Sequence, residues 1–91
     1  MDWRKIRMPE AVGEAGRIVT EAEIVLDFGE EARGWMRVTV FEDLLAGGYF
    51  ARAQDLEDPR VKATVTAETP EEAFENCLRD AGVSLRRARG A

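Results

Sequence analysis

One stretch constrains the fold more than any other: Arg60 to Gly82, RVKATVTAETPEEAFENCLRDAG. It reads as an alternating strand running straight into a capped helix. Val61, Ala63, Val65 and Ala67 fall on one side, and Lys62, Thr64, Thr66 and Glu68 on the other. A period of two fits a sheet with one buried face, and small inner residues leave room for a helix to lie close. The helix start is well marked. Thr69 can cap, Pro70 suits the first helical position, and Glu72 stands where a capping box needs it. Glu71 and Glu72 also sit at the positive end of the helix dipole. Ala73, Phe74, Cys77, Leu78 and Ala81 make an apolar stripe at helical spacing, and Gly82 is placed to end the helix in a left-handed conformation. Burying Phe74 and Leu78 contributes roughly 1.5–3 kcal/mol each.

Upstream lie segments that read as sheet for this helix to cover. In Arg17–Phe28, Ile18, Thr20, Ala22, Ile24, Leu26 and Phe28 share one face, with Val19, Glu21, Glu23, Val25 and Asp27 on the other. The turn GEEARG leads to Trp35–Glu42. There Met36, Val38 and Val40 point one way, and Trp35, Arg37, Thr39 and Phe41 the other. The turn DLLAGG precedes Tyr49–Gln54, whose Ala51 and Ala53 face the helix with Tyr49. The predicted architecture is α+β: a four-stranded, largely antiparallel sheet with one helix, Pro70–Ala81, packed on one face, in the order ββββα. The expected core is Ile18, Ile24, Leu26, Val38, Val40, Tyr49, Val61, Val65, Phe74, Cys77 and Leu78.

A chain of 91 residues is expected to form one domain. Residues 1–16 read as an arm or edge strand, broken by Pro9, Gly13 and Gly16; 17–82 form the body, and 83–91 a basic tail in which Val83 and Leu85 form a short extra strand or dock beside the helix and the last five residues fray. No apolar run approaches the ~20 residues that span a bilayer, and the charged start MDWRKIRMPEAV is unlike a signal peptide, so a cytoplasmic location is expected. Lone Cys77, on the helix stripe, agrees with that and reads as packing.

The chemistry available is narrow. The sequence contains no histidine. That removes the commonest general base and metal ligand, and with them the Ser-His and Cys-His pairs. Carboxylates remain, in the adjacent pairs Glu30–Glu31, Glu42–Asp43, Glu57–Asp58 and Glu71–Glu72. Neighbours in a strand or turn do not converge, so adjacency makes no acid/base site. A metal-dependent nuclease built on Asp43, Asp55 and a third acid is the competing enzyme reading. No phosphate-binding glycine loop, zinc spacing or EF-hand loop is present, and the expectation is a protein without enzymatic activity, metal or cofactor.

Charge points to partners. The net charge is −5, but residues 13–78 hold six basic and fifteen acidic residues, while 79–91 hold four basic residues and one acid. The acidic body should repel nucleic acid and attract a basic protein. Tyr49, Phe50 and Arg52 give only a faint aromatic-basic signal of RNA binding. Trp35, Phe41 and Tyr49, with Glu21, Glu23 and Asp27, are the candidate partner-binding residues, because large aromatics anchor interfaces and surface acids set their polarity. Exposed aromatics and sheet edges also allow a homodimer. An acidic nucleic-acid mimic and a small-ligand pocket between sheet and helix are the alternatives.

From Arg37 to Gly82 the order of residues resembles the HicB-type antitoxin family. The matching positions are Gly47, Gly48, Tyr49 and Ala51, then Asp55 and Leu56, then Thr69, Glu71, Glu72, Ala73 and Asn76. The resemblance implies a partial RNase H-like fold without nuclease activity, whose members neutralise HicA, a small basic mRNA-cleaving toxin. Three features depart from the pattern. The segment from Leu56 to Thr69 is longer and lacks the proline-glycine turn, the Arg17–Phe28 strand is additional, and too little follows Gly82 for the family's DNA-binding domain. The resemblance therefore implies a HicB-like interaction domain without transcriptional autoregulation.

Overall fold

The computed structural model describes residues 13–90. Four strands, β1 (Gly16–Asp27), β2 (Arg33–Asp43), β3 (Tyr49–Asp55) and β4 (Lys62–Ala67), precede one helix, α1 (Pro70–Gly90). The strands form a single antiparallel meander in the order β1-β2-β3-β4, and α1 packs on one face of it, an α+β fold.

Short-range chemistry sets each turn. Asp27 opens the β1–β2 turn by accepting the Gly29 N–H at 2.9 Å. Asp43 accepts the N–H groups of Leu45 and Ala46, and Gly47 and Gly48 close that turn at φ 77° and 73°. Only glycine adopts such angles cheaply. Asp55 accepts the N–H groups of Glu57 and Asp58 at the start of the β3–β4 loop. Thr69 caps α1, its hydroxyl accepting the Glu72 N–H at 3.2 Å.

The core lies between sheet and helix. Met36, Val38, Val40, Val61, Cys77 and Leu85 are fully buried, with Ala51, Ala53, Ala73 and Ala81 between them. Alanines opposite one another bring α1 close to the sheet. The larger Phe74 and Leu78 flank this seam, half-buried, as do Ile24, Leu26, Tyr49 and Val65.

Three expectations need correction. Ile18 does not face the core. The β1–β2 register shifts between Ile18 and Thr20, so Val19 is an extra residue and Ile18 lies opposite Phe41 on the far face, 57% exposed. Gly82 does not end the helix. Its φ is not positive and it is buried in mid-helix, where an added Cβ would stand 3.1 Å from the Phe28 ring. Residues 83–90 accordingly continue the helix instead of forming a separate strand, and they are helical to Gly90 where the end was expected to fray. Leu85 continues the buried series begun by Ala73, Cys77 and Ala81, and it rests on Gly34, where a side chain would collide with it. Arg89 fixes the last turn through Asp58 at 3.1 Å and the buried Asp55 at 3.5 Å. Of the segment read as an arm, residues 1–12 lie outside the described residues.

Candidate functional site: the open face of the sheet

A four-stranded sheet has two faces, and α1 covers one. No described residue forms a second layer on the other. Its composition follows from the alternation in each strand. β1 contributes Ile18, Glu21, Glu23 and Val25; β2 contributes Trp35, Arg37, Thr39 and Phe41; β3 contributes Phe50, Arg52 and Gln54; β4 contributes Lys62, Thr64 and Thr66.

Pairing across the strands divides this face into three zones. At one end Trp35 lies opposite Val25; they are 50% and 46% exposed. In the middle, Arg37 faces two acids, with Glu23 at 3.1 Å and Glu21 at 3.7 Å, and the Thr39 hydroxyl approaches Glu21 at 3.5 Å. At the far end Phe41 and Phe50 stack, with ring centroids 4.7 Å apart and planes inclined by 16°. The Arg52 guanidinium lies over both rings and pairs with Glu14. Gly16 lets the chain pass against Phe50, since a Cβ there would stand 2.7 Å from the ring. An open hollow of about 470 Å³ runs beside the central zone, lined in part by Arg37, Arg52, Gln54 and Lys62.

Four of the six candidate binding residues share this surface: Trp35, Phe41, Glu21 and Glu23. Asp27 stands at the end of the same side of β1, with one carboxylate oxygen engaged in the turn. Tyr49 lies on the opposite face, half-buried against the core. The sequence reading missed Phe50 and Arg52 as partners of Phe41. The β2–β3 register that places Phe41 directly opposite Phe50 follows from the DLLAGG turn, and counting back from that turn would have found the pair.

The geometry also bears on the other chemistries. Asp43 ends β2 and Asp55 ends β3, at opposite ends of the β2–β3 hairpin, about 20 Å apart at the usual strand rise. Each spends a carboxylate oxygen on turn N–H groups. Among the described residues no three Cys, Asp or Glu side chains gather to hold a metal ion. Phe50 is 6% exposed and offers no ring face to a base. The core between sheet and helix is filled by side chains; one hollow lies on the open face, and a second, of about 730 Å³, opens at the edge where Lys62 and Ala63 of β4 meet Asp80, Ser84 and Arg87 of α1. Cys77 is buried beneath α1, and desolvation raises its thiol pKa to about 11, far from a reactive thiolate. No described helix is long and apolar enough to cross a membrane.

No protein-family model, curated protein or solved structure matches this chain.

Proposed function

We propose that this protein is a non-catalytic interaction module that binds another protein through the open face of its sheet. The observation that carries the reading is the sheet face that no described element covers, which holds exposed Trp35 and Val25 and part-exposed Phe41 beside Glu21 and Glu23. A half-exposed tryptophan next to an exposed valine is the kind of anchor around which interface energy concentrates, and charged groups beside it select a partner of opposite sign. The acidic balance of residues 13–78 favours a basic partner. A HicB-like, antitoxin-like role is the specific form this takes: the partner would be a small basic protein of the HicA type, and the acids would quicken encounter.

The test is affinity capture from the native host, run with and without nuclease treatment, with the wild-type chain beside Trp35→Ala and the double variant Glu21→Lys/Glu23→Lys. The expected result is a basic protein retained by the wild type and lost from both variants. Retention of RNA or DNA at moderate salt, with no protein partner, would defeat the proposal.

A further inference from the structure

The two edges of the sheet differ. At the β4 edge the helix supplies partners for the backbone. The Ser84 hydroxyl accepts the Lys62 N–H at 3.3 Å, and the Cys77 thiol reaches the Ala63 carbonyl at 3.9 Å. β4 is also short, at six residues. β1 is twice as long, forms the other edge, and pairs only with β2 among the described residues. The helix lies over β4, β3 and β2 and scarcely reaches β1. β1 contains no proline or lysine, two devices by which proteins guard such edges. Its bulge at Val19 sits near one end, leaving Thr20–Asp27 regular. Among the described residues no strand pairs with the outer backbone groups of β1, which leaves that edge able to accept another strand.

The two sides of β1 define what would fit. Towards the helix layer, Ala22, Ile24 and Leu26 form an apolar ledge that is half-buried and unfinished. Towards the open face, Glu21 and Glu23 are about half exposed, and the single Arg37 is shared between them. A second copy of β1, aligned antiparallel about Ala22, would set Glu21 and Glu23 against the same acids of its twin, which is unfavourable. We propose that β1 binds an extended segment of a partner protein by strand addition, and that this segment alternates lysine or arginine with apolar residues. Its basic side chains face Glu21 and Glu23, its apolar side chains cover Ile24 and Leu26, and its backbone completes the β1 ladder. This deepens the protein-binding reading above and depends on it only for the existence of a partner.

The experiment uses the full chain and two capped decapeptides of equal composition. In one, Lys and Val alternate; in the other, the lysines are grouped at one end. Amide exchange by NMR should show the alternating peptide slowing alternate β1 amides while the grouped peptide does not. Affinity at low salt should fall about tenfold in Glu21→Lys/Glu23→Lys, since two exposed attractions become repulsions. It should persist in Glu68→Lys/Glu75→Lys, which changes the net charge equally. Circular dichroism confirms that both variants fold. Four results would overturn the inference: unchanged β1 exchange, equal effects of both peptides, β1 amides already protected in the free monomer, or protection that tracks protein concentration without peptide, which marks a second copy as the occupant. If a captured partner perturbs Trp35 and Phe41 but leaves the β1 amides exchanging freely, strand addition fails while the protein-binding reading stands.

Discussion

Replacing Leu85 by alanine tests whether the C-terminal half of α1 belongs to the core. Leu85 is fully buried and rests on Gly34 of β2, where even a Cβ would come within 2.9 Å of it. Removing its isobutyl group loses the transfer energy and opens a cavity, and Leu→Ala changes at such sites cost about 2–5 kcal/mol. The floor of this site is strand backbone, which cannot collapse inward, so a loss of about 3 kcal/mol is expected. A domain of this length has a total stability of roughly 5–13 kcal/mol. At about 4–8 °C per kcal/mol, the melting temperature should fall by more than ~10 °C. Urea titration followed by far-ultraviolet circular dichroism measures the change, with an unchanged slope marking an intact two-state transition. A companion variant, Ala88→Gly, sits exposed three residues on and should cost up to ~1 kcal/mol through helix propensity alone. A loss below ~1 kcal/mol for Leu85→Ala would mean that the chain after Gly82 does not dock, and the account of α1 would fail.

Further predictions concern the same end of the molecule. Arg89→Ala strands the buried Asp55, whose Oδ2 accepts no hydrogen bond among the described residues, and should cost about 1–3 kcal/mol in urea titration, against less than ~0.5 for exposed Arg87→Ala. Gly82→Ala replaces a mid-helix glycine. The propensity gain of up to ~1 kcal/mol is offset by displacement of the half-exposed Phe28 ring, leaving a small net gain, whereas a left-handed cap would lose stability. Asp58 accepts hydrogen bonds from the Arg60 side chain and N–H and from Arg89, which hold its carboxyl well below the usual range. Its folded pKa is depressed, so its contribution is complete above the unfolded value near 4 and lost as pH falls below it. Asp58→Asn should flatten that acid limb. The Cys77 thiol is raised instead, so stability should fall as pH rises from about 9 towards 11, and Cys77→Ser should remove that slope.

Much of the fold was legible because the strands obey a period of two and the turns carry Asp and Gly where they are needed. The helix start was legible for the same local reason, through Thr69, Pro70 and Glu72. The helix end was not, because glycine serves two purposes. At a terminus it supplies a left-handed angle, and inside a helix it admits a neighbour, here Phe28. The signal that could have decided between them was Leu85, four residues beyond Ala81 in the series of buried positions. Ile18 was misplaced because a bulge leaves no mark in a strand's own alternation; it appears only in the pairing with β2. Asp55 and Arg89 lie far apart in sequence, and nothing local announces that a loop acid and a helix-end base will meet. The open face was half legible: alternation put Trp35 and Phe41 on one side of their strand and Glu21 and Glu23 on one side of theirs, and the pairing of β1 with β2 brings the four to one face, whereas the grouping of Tyr49 with them ignored that Tyr49 shares its side with Ala51 and Ala53.

The claim that the open face meets a protein partner is tested most directly by photo-crosslinking in the native host. A photoreactive residue replaces Trp35 in one variant and Glu75, on the exposed side of α1, in another. Position 35 is expected to crosslink to a basic protein, and position 75 is not. Equal crosslinking from both positions, or crosslinks from position 35 to nucleic acid alone, would contradict that claim.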